Sequence, residues 1–273
     1  MSVLVVGSSG FLGRSVTAAL RHAGIETHGT YRQAVVPDAS PFDFWGDDVA
    51  PLLTKTGADT VIFCAAVETD APTEQLAVRA ERFFGACAGL RVVYGSSDAV
   101  FSGSSGNYTE TDPPSPTTLY GRNLVTVERV VRTRCPNACV VRPSYLYGFS
   151  AGELDHRLAG ARQRLLSGET VRYADGMFKS PMEVSMAAEA VTRLARSSFV
   201  GTVHISGART SVYGFYRDAM TVLGVPTAAL RAERLPADTE VPRDTSLRPD
   251  LMTRLTGVPM SSVRRALANG RPS

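Results

Sequence analysis

The sequence predicts an α/β fold, in which a doubly wound parallel sheet of the Rossmann type is followed by a smaller C-terminal α/β substrate lobe. Short apolar runs alternate with helical patterns through residues 1–148, and a glycine-rich turn directly follows the first run. The rhythm becomes irregular after Gly148. We therefore expect residues 1–148 to form a dinucleotide-binding domain and residues 149–273 the smaller lobe, with some segments able to return to the main sheet.

The elements of the first half follow from their patterns. Apolar or β-branched runs bounded by polar residues predict strands, and an apolar stripe at helical spacing predicts a helix. The predicted strands are Ser2–Val6, Glu26–Thr30, Thr60–Ala65, Arg91–Tyr94 and Ala138–Arg142, and the predicted helices are Phe11–Ala23, Thr73–Ala88 and Tyr120–Thr133. The Ser-, Gly-, Pro- and Thr-rich stretch 102–118 predicts a loop over the carboxyl edge of the sheet, where sites of this fold lie.

The second half predicts mostly helices. They cover Leu154–Leu166, Val184–Arg196, Val212–Leu223 and Ser262–Leu267, with short strands near Val171 and Val203. Nothing in this half repeats the strand-and-helix alternation of the first half, so it is interpreted as the part of the chain that binds substrate.

Composition argues against several classes of protein. The net charge is +3, but the basic residues are scattered, so no nucleic-acid surface is expected. The chain starts with a short apolar strand and has no long apolar stretch, which predicts a cytoplasmic protein that does not span a membrane. The four cysteines lack metal-ligand spacing and are expected to be free thiols, with no metal site. A homo-oligomer remains possible.

A phosphate-binding loop is predicted at Gly7-x-x-Gly10-x-x-Gly13. Glycines at this spacing allow a tight turn, a close approach of the backbone to a pyrophosphate, and close packing of helix on strand. Phe11 and Leu12 open the helix whose positive end would face the phosphates. Because the motif comes directly after a strand and a second strand follows, it predicts binding of a dinucleotide.

The residue after the second strand indicates which dinucleotide binds. A site for NAD carries Asp or Glu here, which accepts from the ribose 2′-hydroxyl. This chain instead has Tyr31-Arg32-Gln33, and Arg32 can pair with a 2′-phosphate. The prediction is therefore NADP(H), and a solvated surface arginine is the alternative.

Further motifs give the chain a resemblance to a known family. It resembles the extended short-chain dehydrogenase/reductase superfamily, and within it the dTDP-4-dehydrorhamnose reductase-like branch. Besides the glycine motif, the landmarks are Cys64-Ala65-Ala66, Ser96-Ser97-Asp98-Ala-Val-Phe-Ser-Gly103, Tyr120-Gly121 and Val141-Arg142-Pro143-Ser-Tyr-Leu-Tyr-Gly148. The resemblance implies that the cofactor also contacts Cys64, Ala65, Ala66, Tyr120, Arg142 and Pro143.

The resemblance also implies the chemistry. In the family, a hydride passes from the nicotinamide to a ketone while a tyrosine donates a proton and a hydroxyl group bonds the carbonyl oxygen. Tyr120 falls on the acid position and Ser97 on the hydroxyl position, with Asp98 beside the substrate. Lys179 falls where members carry a basic residue facing the substrate's phosphates, and a solvated loop lysine is an equal alternative.

Two parts of the family's proton relay are missing. The lysine four residues after the tyrosine is replaced by Leu124, and the first asparagine of the chain is Asn107, too late for the relay asparagine that precedes the serine strand. An unassisted tyrosine has a pKa near 10 and transfers protons slowly near neutrality. Asn123 shares a helix side with Tyr120 and is a candidate to hold a ribose hydroxyl or a water.

Three functions follow from these observations. The first is an NADPH-dependent reductase acting on a keto group of a sugar nucleotide or a related small molecule, despite the missing lysine. The second is a redox-neutral enzyme on the same scaffold, catalysing an elimination, epimerisation or cyclisation in which Tyr120 or Asp98 moves protons. The third is a non-catalytic regulatory subunit, because a fold can persist after its chemistry is lost.

Overall fold

The computed structural model describes residues 1–69, 71–236 and 238–269. The strands are β1 (Ser2–Val6), β2 (Glu26–Tyr31), β3 (Ala39–Pro41), β4 (Thr60–Phe63), β5 (Arg91–Gly95), β6 (Ala138–Pro143), β7 (Leu146–Tyr147), β8 (Phe149–Ser150), β9 (Glu153–Leu154), β10 (Val171–Ala174), β11 (Phe178–Lys179), β12 (Met182–Glu183), β13 (Gly201–Ile205), β14 (Thr210–Ser211) and β15 (Leu230–Glu233). The helices are α1 (Phe11–His22), α2 (Ala50–Thr56), α3 (Thr73–Ala86), α4 (Leu119–Arg134), α5 (His156–Leu166), α6 (Val184–Ala195), α7 (Val212–Val222), α8 (Asp250–Thr256) and α9 (Val263–Asn269).

The main sheet has the order β13-β6-β5-β4-β1-β2-β3, and every neighbouring pair of strands runs parallel. From β1 the chain moves outward to β3, then crosses back to β4 and continues in the other direction. The strand order therefore reverses between β1 and β4, which opens a crevice at their carboxyl ends. The predicted doubly wound Rossmann-type fold is confirmed.

Helices cover both faces of this sheet. Alternate residues of β1 show the two layers: Leu4 and Val6 belong to the core under α3 and α4, whereas Val3 and Val5 belong to the core under α1 and α6. All four side chains are buried. A strand buried on both faces needs a continuous apolar run, which is the pattern that the sequence shows.

The first half follows the predicted elements closely, but β3 and α2 were missed because both are short. After Gly148 the chain forms a separate apolar core from α5, α7, α9, β10 and β15, with Leu158, Phe215 and Leu230 among its members. However, β13 pairs with β6 in the main sheet. The boundary between residues 148 and 149 therefore stays a prediction.

The state of the cysteines and the character of the helices were also predicted from the sequence. Cys87, Cys135 and Cys139 are buried free thiols, and Cys64 is a half-buried one. In the described ranges, no helix combines the length and the apolar character that crossing a bilayer requires.

Candidate active site

The turn between β1 and α1 packs so closely against neighbouring backbone that two of its glycines have no room for a side chain. A β-carbon on Gly7, whose φ is +82°, would lie 2.8 Å from the Ala65 backbone, and one on Gly13 would lie 2.1 Å from the Gly7 carbonyl oxygen. No side chain caps α1 at Gly10. The first amides of the helix therefore remain available to an anion.

Hydrogen bonds fix this turn to the end of β2. The Gly7 amide donates to Thr30 Oγ1 at 3.0 Å, and the Ser8 hydroxyl donates to the Thr30 carbonyl at 2.9 Å. Arg32 follows two residues later and is exposed. It lines a cleft of about 380 Å³ together with Gly7 and Gly10. The arginine thus lies on the same cleft as the glycine turn, and its pairing with a 2′-phosphate stays a prediction.

A further wall of this first cleft was not found from the sequence. The segment after β3 lines this cleft through Phe42, Asp43, Phe44 and Trp45. Asp43 Oδ1 accepts a hydrogen bond from the Trp45 amide at 3.1 Å, which holds the segment in place. The only signal in the sequence was an aromatic cluster after a strand too short to be recognised.

A second cleft, of about 450 Å³, continues from the first. The two clefts share a wall that consists of Phe11, Cys64, Ala65 and Ala66. Predicted site residues that line only the second cleft are Leu12, Ser97, Asp98, Tyr120, Pro143 and Lys179. One groove therefore runs from Arg32 past the glycine turn to Ser97 and Tyr120.

Asp98 is the centre of a polar cluster in the second cleft. It is buried, and its Oδ2 accepts hydrogen bonds from Lys179 Nζ at 2.8 Å, Thr245 Oγ1 at 2.7 Å and Ser144 Oγ at 3.2 Å. The Ser97 hydroxyl donates to the other oxygen, Oδ1, at 3.0 Å. Lys179 is thus neither a freely solvated lysine nor an unpaired cation, because it forms an ion pair with Asp98.

The start of α4 brings Tyr120 to this cluster. Thr118 caps the helix through a bond from the Gly121 amide at 3.0 Å. Burial raises the pKa of the Tyr120 phenol to about 12, and the nearby Glu68 and Asp98 act in the same direction, whereas the Ser97 hydroxyl opposes them. The phenol is therefore fully protonated near neutrality.

The two residues discussed in place of the missing lysine are both buried. Leu124 is 1% exposed and belongs to an apolar cluster with Phe101 and Leu247. Asn123 is fully buried, and its amide donates to the carbonyl oxygens of Glu68 and Ala71, both at 2.9 Å. The expectation that Asn123 holds a ribose hydroxyl or a water is wrong, because its side chain is already engaged.

Arg142 lies apart from the groove in which the sequence predicted it. It is 2% exposed and forms two hydrogen bonds with the buried Glu128, at 2.8 and 2.7 Å, while its guanidinium lies over the Phe101 ring. Ser96 also donates to Glu128, at 2.6 Å. Arg142 thus supports the ends of β5 and β6 from behind and lines neither cleft. Gly13 also lies behind the groove, where it packs against Gly7.

Two charged residues of the second cleft were missed. Glu68 is 2% exposed and accepts a hydrogen bond from the Tyr94 hydroxyl at 2.6 Å. Arg157, near the start of α5, donates to the Leu146 carbonyl at 2.7 Å and stacks on the Tyr145 ring at 3.7 Å. Neither belongs to a short motif, so no local pattern points to either residue.

Comparison with known proteins identifies the family. The family model described as "RmlD substrate binding domain" matches residues 1–270. The chain belongs to this family. The resemblance inferred from the sequence motifs is thereby confirmed, and the match extends across both halves of this RmlD-family chain.

Individual relatives match a shorter part of the chain than the family model does. The dTDP-4-dehydrorhamnose reductase of Mycobacterium tuberculosis is 29% identical over 217 residues, which cover 74% of this RmlD-family chain and 68% of the relative. The methionine adenosyltransferase 2 subunit beta of Mus musculus is 31% identical over 157 residues, covering 54% and 47%. A crystal structure of dTDP-4-dehydrorhamnose reductase from Bacillus anthracis in complex with NADP has the same fold, with a TM-score of 0.81, 20% identity and 99% coverage of both chains.

Proposed function

We propose that this protein is an NADP(H)-dependent reductase acting on a keto group of a sugar nucleotide. The observation that carries the proposal is the continuous groove, which joins Arg32 and the glycine turn at one end to Ser97 and Tyr120 at the other. A dinucleotide lying along this groove would bring its reactive end to the part of the cleft where Tyr120 lies beside the Ser97 hydroxyl.

The residues present suit NADP(H). Backbone amides at the start of α1 would bind the pyrophosphate, since no side chain caps this helix end at Gly10. Arg32 would pair with the 2′-phosphate, and Asp43 would face the adenosine end of the cleft. When bound, the dinucleotide supplies the hydride that a ketone carbon receives. The relatives agree with this cofactor class, because one of them is solved in complex with NADP.

The state of Tyr120 favours reduction over redox-neutral chemistry. With a pKa of about 12, its phenol holds its proton near neutrality. It can therefore protonate a carbonyl oxygen as the carbon is reduced, whereas a phenol in this state is a poor acceptor for the proton removal that starts an elimination or epimerisation. Ser97 orients the carbonyl beside it. Because Asp98 accepts the Ser97 proton, this proton must turn toward the substrate on binding.

Two cations of the second cleft suit an anionic substrate, although the carboxyl groups of Glu68 and Asp98 line the same cleft. Arg157 and Lys179 both line the second cleft, so a diphosphate that enters from the open side would meet two cations. The dTDP-4-dehydrorhamnose reductases among the relatives act, by their names, on a keto-sugar nucleotide. We therefore take this class as the substrate, with dTDP-4-dehydrorhamnose as the first compound to test.

The test has two steps. Calorimetric titration with NADPH and NADH should show tighter binding of NADPH, and Arg32→Ala should remove most of this preference, whereas Arg129→Ala on the exposed face of α4 should not. Mixing with dTDP-4-dehydrorhamnose should then consume NADPH, and Tyr120→Phe should stop the reaction. Binding of neither dinucleotide would refute the reductase. Product formation without NADPH consumption would instead identify a redox-neutral enzyme.

A further inference from the structure

Glu68 carries a carboxyl group that is buried in the second cleft. It lies in the loop after β4, is 2% exposed, and lines the same cleft as Tyr120. Its Oε1 accepts from the Tyr94 hydroxyl at 2.6 Å and its Oε2 from the Val67 amide at 2.9 Å. Among the described residues, none forms an ion pair with it. Buried carboxylates are normally paired, so this one calls for an explanation.

The helix that carries Tyr120 also holds Glu68 in place. Asn123, one turn after Tyr120, donates to the Glu68 carbonyl and accepts from the Thr73 hydroxyl at 2.6 Å. All polar atoms of this fully buried side chain are used to fix the loop that bears Glu68. The backbone of Glu68 and the side chain of Tyr120 are therefore both tied to α4, while Tyr94 and the Val67 amide hold the Glu68 carboxyl.

The two cations that line the second cleft have other partners. Lys179 is paired with Asp98, and Arg157 is bound to a backbone carbonyl and stacked on an aromatic ring. Burial therefore dominates and raises the pKa of Glu68 to about 7, although the hydrogen bond from Tyr94 opposes the shift. Glu68 in turn raises the pKa of Tyr120, so the two groups interact electrostatically.

We propose that Glu68 is the proton reservoir of Tyr120 and supplies the proton that the family's lysine relay would supply. This inference rests on the proposed reductase function. Within the described part of the chain, the Glu68 carboxyl lies in the cleft of Tyr120 without a cation, and its backbone carbonyl is bonded by Asn123 of the tyrosine's own helix. The position at which the family carries its lysine, Leu124, is closed by apolar packing.

The proton steps balance without any further reactant. The substrate carbon gains the hydride, and the substrate oxygen gains the proton as the Tyr120 O–H bond breaks. The resulting phenolate takes the proton of the Glu68 carboxylic acid, since the carboxyl is the stronger acid of the two. The Glu68 carboxylate then recovers a proton from solvent when the product leaves. Glu68 thus acts through Tyr120 and does not contact the substrate.

The first test needs no substrate. In protein labelled with carbon-13 at glutamate carboxyls and tyrosine rings, the resonance lost in Glu68→Gln should titrate near neutrality. The resonance lost in Tyr120→Phe should shift over the same pH range. That shift should persist in the control Glu74→Gln, an exposed position at the start of α3, and should vanish in Glu68→Gln.

Tyr94→Phe gives an independent readout if Glu68→Gln fails to fold. It removes the donor that lowers the pKa of Glu68, so both resonances should move to higher pH together. A Tyr120 resonance that stays constant around neutrality in the wild-type protein would overturn the proposal. A shift that persists in Glu68→Gln, or midpoints that separate in Tyr94→Phe, would overturn it equally.

Kinetics then test the role in turnover. Glu68→Gln should lower kcat by about 10²-fold, within the range of general acid–base catalysis, while KM and NADPH affinity stay near wild type. It should also abolish the change of kcat with pH around neutrality. An unchanged kcat with an unchanged pH profile would overturn the proposal. Failure of the reductase assay in the wild-type protein would refute the proposed function alone, because the resonance experiment does not depend on it.

Discussion

The Cα of Gly121 lies so close to the carbonyl of Ala99 that a β-carbon on Gly121 would come within 2.3 Å of that oxygen. Ala99 belongs to the short 3-10 turn that Ser97 caps, and Gly121 follows Tyr120 in the first turn of α4. The missing side chain at one position therefore sets the approach of the helix to the turn. This approach brings the phenol of Tyr120 to the hydroxyl of Ser97.

Gly121→Ala should consequently damage the site more than the fold. The new methyl group would push α4 away from the turn, at a cost of about 1–3 kcal/mol in unfolding free energy. Reductase activity should fall at least about 10-fold, since a displacement of the acid disturbs the reacting geometry, while NADPH affinity is retained.

Gly160→Ala is the matched control for Gly121→Ala. Gly160 lies within α5, and no atom of the described residues is within 4 Å of where its β-carbon would lie, so alanine should stabilise the protein by about 0.5–1 kcal/mol. Denaturant unfolding and calorimetry measure both variants. Wild-type kcat in Gly121→Ala would show that the close approach does not position Tyr120.

The ion pair between Lys179 and Asp98 predicts a double effect for Lys179→Met. Removal of the Lys179 ammonium group leaves the buried Asp98 without this cation, although Thr245 still donates to it. Because Lys179 is 25% exposed, we expect a discounted cost of about 1–2 kcal/mol, together with a higher KM for a diphosphate substrate. Lys55→Met, at the other lysine of the chain, should change stability by less than about 0.5 kcal/mol. Equal stabilities of the two variants would contradict the importance of this pair.

His204 predicts a loss of stability in acid. It is fully buried, and burial together with Arg142 lowers the pKa of its imidazole from 6.5 to about 4. Between about pH 6.5 and pH 4, His204 therefore binds a proton in the unfolded chain but not in the folded protein. The contribution of neutral His204 to the free energy of unfolding is fully present above pH 6.5. It is lost as the pH falls to about 4, and the loss amounts to up to about 3 kcal/mol.

The effect of His204 is measured by comparing how the free energy of unfolding depends on pH in the wild type and in variants. Denaturant unfolding of wild type and His204→Gln should diverge in pH dependence, with a flatter curve for the variant between about pH 7 and pH 4. His22→Gln, at an exposed position of α1, should follow the wild-type curve. Parallel curves for wild type and His204→Gln would show that His204 does not resist protonation.

Much of the fold could be predicted because its signals are local. The run Val3–Val6 is apolar at every residue, which a strand buried on both faces requires, and the glycine spacing encodes the turn that follows. The polar connections behind the site are not local. Lys179 meets Asp98 from 81 residues away, and Glu68 is fixed by Asn123 from 55 residues away. No period or spacing in a single sequence reveals such pairs.

Arg142 shows a different limit of prediction. The motif around Pro143 correctly places the end of β6 at the groove, but adjacent residues of a strand face opposite sides of the sheet. Pro143 therefore lines the second cleft, while Arg142 turns to Glu128 in the interior. A motif located the segment, and only the pleat of the strand decided which of its side chains reach the groove.

Leu124→Lys tests whether the lost lysine can simply be restored. From the sequence alone the substitution should increase a ketoreductase rate, unless Leu124 packs in a pocket too apolar for an amine. The structure shows such a pocket, formed with Val100, Phe101, Tyr108 and Leu247. A charged amine would be buried there without a partner, so we expect a loss of about 3 kcal/mol or more in unfolding free energy and no gain in rate. Leu124→Met keeps the volume and should cost less than about 1.5 kcal/mol. A faster reaction with wild-type stability would mean that the amine reaches the groove. Adding Glu68→Gln to this variant should then no longer lower kcat.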